Sequence, residues 1–518
     1  MLAIDIINRQ KLLQPDAVAV TYGDTTLTYR QLHERICRTA GALSGLGVER
    51  GNRVAILSRN CHQYIELYFG ASLMGAVTTP LNYRLSAPEL AYIINDAEAT
   101  VLIVGEEYLE TVDSIRGDLT TVREIVCIEG SHGGADAYED LLAAAPAQVP
   151  AIDIDEEDLV YQMYTSGTTG RPKGAMITHR NLMTNVMQIL IDAPMAPGNR
   201  NLIVAPLYHA AAAITSMCTL AAGATAVVKQ DFIPDEVLAS FSADELTHAL
   251  FVPAMILFLL SMPGIAEVDF GRLQRITYGA SPIPAEVLKK AIETFQCEFF
   301  QAFGQTESVA VLTALGPGDH VADGTPEQTR RLASCGRPVF GVDVRVVDED
   351  DNEVPRGELG EIIARGPNVM KGYWKMPEAT AETLRGGWLH TGDLGTMDDS
   401  GYVFIMDRLK DMIVSGGENV YPREIEEVLF THPAVADAAV IGVPSDKWGE
   451  AVKAVVVLKP DASAGADDLI DFCRDKLAGY KRPSSVDFVD ALPKNPSGKI
   501  HKRELREPYW KGVDRRVN

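Results

Sequence analysis

The spacing of apolar residues predicts alternating helices and strands from residue 1 to about residue 150. Beyond residue 28, four apolar residues recur at helical intervals and form one face: Leu32, Ile36, Ala40 and Leu43. Residues 51–57 predict a strand after a turn, residues 64–74 predict another helix, and residues 75–82 predict a strand and a turn. Strands separated by helices indicate parallel βαβ units.

Two apolar runs, at residues 159–164 and 175–177, flank a stretch of small and polar residues. The first run alternates with a period of two, which is typical of a strand. After the second run, apolar residues return at helical spacing: Leu182, Val186, Ile189 and Leu190. The pattern therefore predicts a strand, a loop, a second strand and then a helix.

The loop between these strands has the composition of a polyphosphate-binding loop. Gly167, Gly170 and Gly174 allow the backbone to aim several N–H groups at one point. Hydroxyl groups and one positive charge are added by Thr165, Ser166, Thr168, Thr169 and Lys173. A strand follows Lys173 and Gly174, whereas a Walker A loop has Ser or Thr after the lysine and opens a helix, so this is a different kind of loop.

Beyond residue 336 the pattern changes to an antiparallel style. Apolar and polar residues alternate from 342, a polar turn follows at 348–353, and residues 361–364 predict a returning strand. From residue 411 the chain predicts a compact α+β domain of ordinary domain size. Its expected elements are a helix with a stripe of Ile425, Val428 and Leu429, strands at 438–443 and 452–458, and a helix bearing Leu469, Phe472, Cys473 and Leu477.

Length and charge narrow the class of protein. A chain of 518 residues exceeds the usual size of one hydrophobic core, so two or more domains are expected. The net charge of −24 disfavours nucleic acids and anionic membranes as partners, and any anionic ligand needs a local cluster of donors. The most apolar run, residues 249–262, is too short to span a membrane and contains Pro253, so we interpret it as a buried helix.

The cysteines and the first residues of the chain indicate a reducing compartment. The seven cysteines are scattered, and none forms a metal-type pair. The N-terminal stretch carries Asp5 within its apolar patch and lacks the basic start of a secretory signal. We therefore expect a cytoplasmic protein without a transmembrane segment.

The loop at residues 164–174 resembles the phosphate-loop signature of the adenylate-forming superfamily. This superfamily includes acyl-CoA synthetases, 4-coumarate-CoA-type ligases, firefly luciferases and peptide-synthetase adenylation domains, and the chain is most similar to the first two. The resemblance implies a multidomain α/β and α+β fold. A large N-terminal domain over 1–407 would contain two βαβ-type subdomains and a distorted β-barrel over about 336–407. A small mobile domain over 411–518 would follow a hinge at 408–410, with Lys410 as its pivot.

Later motifs occur in the order of the superfamily and imply a nucleotide site. Residues 277–282 resemble the adenine-side loop, and residues 299–307 resemble the aromatic-Gly-x-Thr-Glu motif. In the superfamily the glutamate of this motif, here Glu307, helps to hold Mg²⁺, a metal that prefers carboxylate and phosphate oxygens. Phe303 stands where tyrosine is commoner, so one hydroxyl group is missing from the motif.

The resemblance also implies roles for individual nucleotide-binding residues. Asp393 matches an aspartate that binds both ribose hydroxyls, and Arg408 matches an arginine that reaches the same sugar. The remaining implied residues are Gly279, Ala280, Ser281, Ala302, Phe303, Gly304, Gln305 and Thr306, with Thr165, Ser166, Gly167, Thr168, Thr169, Gly170 and Lys173 in the loop.

The resemblance further implies an acyl pocket and a CoA channel. His209 matches a histidine beside the acyl carboxylate, and the alanines that follow it leave room for a bulky acyl group. The implied pocket comprises His209, Ala210, Ala213, Ile214 and Val309. Gly416 and Gly417 match the loop that lines the CoA channel. Lys499 matches the catalytic lysine of the small domain, although His501 stands where an aliphatic residue is commoner. The predicted catalytic residues are Lys499, Glu307, His209 and Thr165.

Together these matches predict an acid–CoA ligase that uses ATP, Mg²⁺ and CoA. A medium-to-large hydrophobic carboxylic acid would react with ATP to give acyl-AMP and pyrophosphate, and the acyl group would then pass to CoA. Two alternatives stay open: a half-reaction enzyme that receives acyl-AMP from a partner, and an adenylation enzyme that loads a carrier protein. The identity of the acid and the oligomeric state, a homodimer included, are also open.

Overall fold

The computed structural model describes residues 1–130, 136–148, 152–165, 172–281, 283–408, 411–415, 418–445, 447–460, 462–474, 476–494 and 500–511. Helices and strands alternate up to residue 338. The strands are β1 Val18–Tyr22, β2 Thr25–Thr28, β3 Arg53–Leu57, β4 Val77–Pro80, β5 Ala99–Val104, β6 Glu124–Cys127, β7 Asp136–Ala137, β8 Leu159–Thr165, β9 Lys173–Thr178, β10 Arg200–Ile203, β11 Thr225–Val228, β12 His248–Phe251, β13 Arg275–Gly279, β14 Glu298–Phe303, β15 Thr313–Leu315 and β16 Arg337–Pro338. The helices are α1 Asp5–Leu13, α2 Tyr29–Gly45, α3 His62–Leu73, α4 Ala87–Asp96, α5 Leu109–Ile115, α6 Tyr138–Ala144, α7 His179–Asp192, α8 Ala210–Ala221, α9 Pro234–Ala243, α10 Pro253–Ser261, α11 Ala285–Phe295 and α12 Pro326–Arg331.

Strands dominate the remainder of the described chain. They are β17 Asp343–Val347, β18 Gly360–Arg365, β19 Gly372–Tyr373, β20 Leu389–Met397, β21 Val403–Arg408, β22 Ile413–Ser415, β23 Glu418–Val420, β24 Val435–Ser445, β25 Gly449–Leu458 and β26 Ser485–Phe488. The accompanying helices are α13 Pro377–Thr383, α14 Pro422–Phe430, α15 Ala466–Phe472 and α16 Lys502–Arg506.

Helix α2 shows how the local sequence determines an element. Thr28 and Gln31 form a reciprocal capping box, which satisfies free N–H groups at the start of the helix. The apolar stripe predicted for this helix faces the core, and each of its residues is at most 2% exposed: Leu32, Ile36, Ala40 and Leu43. The predicted amphipathic helix is confirmed.

Two large, mostly parallel sheets form the N-terminal part of the fold. The first has the order β16-β15-β14-β13-β12-β10-β11-β1-β2, and the second has the order β19-β9-β8-β4-β3-β5-β6-β7. The predicted βαβ units are therefore confirmed. The hairpin of β1 and β2 joins the first sheet through the parallel pairing of β1 with β11. Residues 23–224, which include most of the second sheet, lie between these two strands in the sequence.

The interpretation of residues 249–262 as one buried helix is wrong in its first part. His248–Phe251 form the buried strand β12, and the helix α10 begins only at Pro253. A proline restricts the residue before it to extended conformations and suits the first turn of a helix. Pro253 therefore separates the strand from the helix. No helix in the described part of the chain is long and apolar enough to cross a membrane.

The third and fourth sheets differ in style from the first two. The β-rich region pairs as an antiparallel sheet in the order β17-β18-β20-β21, where the resemblance implied a distorted barrel. The last sheet has the order β23-β22-β25-β24, and β26 pairs with β25. Its core includes Ile425 and Leu429 of α14, as predicted, together with Leu469 of α15. Helix α15 ends at Phe472, so Cys473 and Leu477 reach the same core from beyond the helix.

Three buried histidines make the stability of this fold depend on pH. Burial lowers the pKa of His179, His248 and His320 to about 4 in each case. Because the folded pKa lies below the unfolded value, the unfolded chain takes up protons first as the pH falls. The stabilisation is complete above the unfolded pKa and is lost progressively toward pH 4.

We therefore expect the free energy of unfolding to fall between pH 7 and pH 5, by up to about 1.4 kcal/mol per pH unit for each histidine. His179→Asn should reduce this slope and retain the fold, because the amide oxygen can accept the Ala3 N–H that Nδ1 of His179 now accepts at 3.1 Å. Denaturant titration across this pH range measures the slope. His501, with a half-exposed side chain, provides the matched His→Asn control. A slope that is identical in wild type and His179→Asn would contradict the assignment.

Candidate active site

The predicted phosphate loop lies at the end of a hairpin between β8 and β9. These strands are antiparallel, and their last described pair joins Thr165 to Lys173. The loop residues Ser166, Gly167, Thr168, Thr169 and Gly170 lie outside the described residues. The hairpin therefore holds both ends of the loop side by side.

A hydrogen-bonded network supports the base of this hairpin. The Tyr164 hydroxyl donates to Oδ2 of Asp96 at 2.5 Å and accepts from Nε2 of Gln162 at 2.9 Å. Arg53 donates to Oε1 of Gln162 at 3.1 Å, and its guanidinium stacks 3.6 Å from the ring centroid of Trp374. Burial, with the Asp96 carboxylate beside it, raises the pKa of Tyr164 far above its usual value, so its hydroxyl keeps its proton.

Glu307 lies in a short 3₁₀ helix, Thr306–Ser308, that follows β14. Oγ of Ser308 accepts from the Gln305 N–H at 3.1 Å and closes this turn. Glu307 is 8% exposed, and its carboxylate accepts a hydrogen bond of 2.6 Å from the Tyr373 hydroxyl. The next residue, Val309, has φ of +67°, a strained conformation for a β-branched residue. Such strain is typical of backbone that a functional site holds in place.

The predicted adenine-side loop starts where β13 ends. Gly279 pairs with Ala302 of β14, and a side chain at Gly279 would overlap the Ala302 carbonyl oxygen, so only glycine allows this approach. Ala280 follows with φ of +67°. Just before the loop, the Tyr278 hydroxyl hydrogen-bonds Nε2 of His320 at 3.0 Å. Since Nδ1 of His320 bonds the Gly316 carbonyl oxygen at 2.9 Å, Nδ1 carries the ring proton and Nε2 accepts.

One cleft brings several of the predicted residues together. It has an empty volume of about 880 Å³, part of it open to solvent. The predicted residues on its lining are His209, Ala210, Ile214, Gly279, Ala280, Ala302, Gly304, Gln305 and Thr306. The apolar end is completed by Tyr208, Ala211, Ala212, Leu250, Phe251, Val252 and Val311. The cleft therefore joins a polar end near Thr306 to an apolar chamber around α8.

His209 lines this cleft as the N-cap residue of α8. Its Nδ1 accepts from the Ala211 N–H at 3.4 Å, which directs the ring toward the start of the helix. Ala213 and Val309, predicted as pocket residues, belong to the buried core and are not among the residues that line the cleft. The structure thus brings His209, Ala210 and Ile214 to the cleft surface and leaves those two residues in the core.

The predicted ribose-binding pair lies on adjacent strands. Asp393 of β20 and Arg408 of β21 are directly paired in the antiparallel register. Asp393 is 3% exposed, and its N–H donates to Oγ1 of Thr391 at 3.1 Å. The Arg408 side chain, Lys410, Gly416, Gly417 and Lys499 lie outside the described residues.

Glu307 fits the magnesium ligand that the resemblance implies. It is a buried carboxylate beside Thr306, which lines the polar end of the cleft. Within the described residues no three His, Cys, Asp or Glu side chains come together as a metal site. Magnesium bound with a nucleotide needs only one or two carboxylates, because phosphate oxygens and water complete its shell.

Two groups of residues were missed by the sequence interpretation. Tyr373, the partner of Glu307, belongs to a Gly-Tyr-Trp stretch at 372–374 that carries no charge and has no obvious periodicity. The second group is Leu250, Phe251 and Val252, which line the cleft at the end of β12. They were missed because this strand was interpreted as part of a helix. The usable signal for the latter was the rule that ligands bind at the carboxyl ends of parallel strands.

Known proteins provide an independent comparison. Residues 7–374 match the family model described as AMP-binding enzyme, and residues 424–499 match the AMP-binding enzyme C-terminal domain. A feruloyl-CoA synthase from an Amycolatopsis species is 41% identical over 97% of this chain and 98% of its own. The long-chain-fatty-acid–CoA ligase FadD13 of Mycobacterium tuberculosis is 36% identical over 94% of each chain.

A solved structure agrees with these relatives over nearly the whole length. The ATP-bound MatB of Rhodopseudomonas palustris has a TM-score of 0.89 and 33% sequence identity, covering 98% of this chain and 99% of its own. The family models, the relatives and the fold all lead to the same assignment. The chain belongs to the AMP-binding enzyme family, the adenylate-forming enzymes, and to its acyl-CoA synthetase branch.

Proposed function

We propose that this protein is an AMP-forming acid–CoA ligase for a medium-to-large hydrophobic carboxylic acid. The observation that carries the proposal is that Gly279, Thr306 and His209 line the same cleft. These residues come from three separate segments and, by family resemblance, belong to the adenine, phosphate and acyl parts of one site. A cleft with a polar end and an apolar end suits a reaction between a nucleotide and a hydrophobic acid.

In the first step an oxygen of the substrate carboxylate attacks the α-phosphorus of ATP. The new P–O bond forms as the bond to pyrophosphate breaks, and pyrophosphate leaves with the electron pair. The main obstacle is electrostatic, because one anion approaches another. Thr165, Lys173 and Lys499, with the donors of the phosphate loop, would stabilise the charge on the transferring group. Glu307 would hold Mg²⁺, which neutralises phosphate charge when it is bound.

In the second step the thiol of CoA attacks the acyl carbon and AMP leaves. The thiol loses its proton, and the departing phosphate oxygen takes up the electron pair. Gly416 and Gly417 would line the channel for the pantetheine arm. Lys410 would act as the hinge about which the small domain turns between the two steps, so that Lys499 withdraws after adenylation.

The apolar chamber supports a hydrophobic acid. Ala210, Ala211 and Ala212 leave space along α8, and Leu250 and Val252 supply apolar surface on the facing strand end. The relatives named for feruloyl-CoA and for long-chain fatty acids also act on acids larger than acetate. His209, which lines the same cleft, would lie beside the carboxylate of the bound acid, as the family resemblance implies.

The direct test is pyrophosphate release from ATP–Mg²⁺ with a panel of carboxylic acids, with and without CoA. We expect release that depends on one class of hydrophobic acid, and CoA thioester when CoA is present. Lys499→Ala should slow release by at least about a hundredfold, since Lys499 stabilises charge that develops in the transition state. Lys459→Ala, at an exposed lysine of the same domain, should leave the rate unchanged.

Two results would argue for the alternatives. Absence of release with every acid, together with thioester formation from synthetic acyl-AMP and CoA, would indicate a half-reaction enzyme. Acyl-AMP formation without transfer to CoA, but with transfer to a carrier protein, would indicate a carrier-loading enzyme.

A second prediction concerns the adenine-side loop. Gly279→Ala should weaken nucleotide binding by about tenfold, because the added methyl group forces the loop away from Ala302. Calorimetric titration with AMP measures the affinity. Gly318→Ala is the matched control, since its methyl group would meet no atom within 4 Å. Equal AMP affinity in Gly279→Ala and wild type would exclude this loop from the nucleotide site.

A further inference from the structure

The strand β19 and its neighbours form a strap, residues 370–375, that joins two parts of the site. The Met370 N–H donates to the Glu307 carbonyl oxygen at 2.8 Å, and the Trp374 N–H donates to the Gly174 carbonyl oxygen at 2.8 Å. Between them, Tyr373 pairs with Ala175 of β9. The strap therefore ties the backbone of the Glu307 turn to the strand that leaves the phosphate loop.

The side chain of Tyr373 makes the same connection. Its hydroxyl donates to Oε1 of Glu307 at 2.6 Å, and Nζ of Lys173 lies 5.0 Å from the centroid of its ring. Tyr373 is 6% exposed and Glu307 is 8% exposed. A short hydrogen bond from a hydroxyl to a carboxylate is of the stronger, charge-assisted kind. One ring thus contacts both the proposed metal-binding carboxylate and the lysine of the phosphate loop.

The backbone that carries Tyr373 is held by Thr380. The Tyr373 N–H donates to Oγ1 of Thr380 at 2.9 Å, and Gly372 leaves space for the Thr380 side chain because a side chain at position 372 would overlap it. A tyrosine hydroxyl is protonated at neutral pH, so it acts as the donor to the carboxylate.

We propose that Tyr373 is a positioning residue for metal–nucleotide binding. It occupies one oxygen of Glu307, fixes the rotation of the carboxylate and leaves the other oxygen for the cation. Groups that orient a metal ligand in this way matter for affinity, and their removal costs about 10–100-fold. This inference rests on the proposed function, because it assigns Glu307 to the cation bound with ATP.

The test measures binding of Mn²⁺, a paramagnetic stand-in for Mg²⁺, to the protein saturated with α,β-methylene-ATP. Electron paramagnetic resonance gives the dissociation constant of the cation without any turnover. Tyr373→Phe removes only the hydroxyl and should raise this constant by about tenfold. Tyr29→Phe is the matched control, since it removes another buried hydroxyl, one that donates to the Ala224 carbonyl oxygen at 2.7 Å. The Mn²⁺ affinity of Tyr29→Phe should equal that of wild type. Its melting temperature should fall only by the amount that the loss of one hydrogen bond causes.

A double-mutant cycle shows whether Tyr373 acts through Glu307. If it does, Tyr373→Phe combined with Glu307→Gln binds Mn²⁺ no more weakly than Glu307→Gln alone. Thioester formation from synthetic acyl-AMP and CoA, a step without ATP, should stay within about twofold of wild type in Tyr373→Phe, because the hydroxyl acts only on the cation.

Unchanged Mn²⁺ affinity in Tyr373→Phe, or additive losses in the double variant, would overturn the positioning role. Equal losses of thioester formation and of Mn²⁺ affinity would also overturn it, since they indicate a general structural defect. Failure of the proposed function would be distinguishable from failure of the positioning role. In that case wild type would release no pyrophosphate with any acid, whatever the result of the Mn²⁺ titrations.

Discussion

A carboxylate and a polyphosphate must approach within bonding distance in a protein whose own net charge is −24. This electrostatic constraint determines which parts of the chain form the site. General charge attraction cannot hold ATP here, so the protein needs backbone N–H groups, a few cations and a metal-binding carboxylate at one place. The carboxyl ends of parallel strands supply that place, because loops and helix starts converge there. The ends of β13 and β14 and the start of α8 line the cleft, and the proposed phosphate loop connects β8 to β9.

Buried hydrogen bonds keep these parts in register. The Tyr164–Asp96 bond supports the phosphate-loop hairpin, and the Tyr373–Glu307 bond joins the hairpin side to the Glu307 turn. Both pairs couple a neutral donor to a carboxylate, and the Tyr373–Glu307 bond is fully buried, where such bonds are strong and loss of one partner is costly. Strained backbone at Ala280 and Val309 lies beside the same features. The fold thus accepts local strain where it holds the proposed nucleotide and metal ligands.

The sequence predicted elements with strong periodicity and motifs with characteristic composition. Helix α2 and the stripe of α14 were predictable because their burial repeats along one face, and β8 and β9 were predictable because two apolar runs flank a loop of small and polar residues. Residues 249–262 were misread because a short apolar run has no period that separates a buried strand from a buried helix. The pairing of β1 with β11 and the bond from Tyr373 to Glu307 depend on residues far apart in sequence. Such contacts leave no local pattern, so a single sequence could not predict them.

The most direct test of the account follows the oxygen atoms of the acid. A substrate carboxylate labelled with ¹⁸O, incubated with the enzyme, ATP, Mg²⁺ and CoA, should transfer one labelled oxygen to AMP, because that oxygen attacks the α-phosphorus. Mass spectrometry of the nucleotide and phosphate products measures the transfer. Label in AMP, with none in pyrophosphate, is the predicted result. Label in inorganic phosphate with formation of ADP, or unlabelled AMP alongside acyl-CoA, would contradict activation through acyl-AMP.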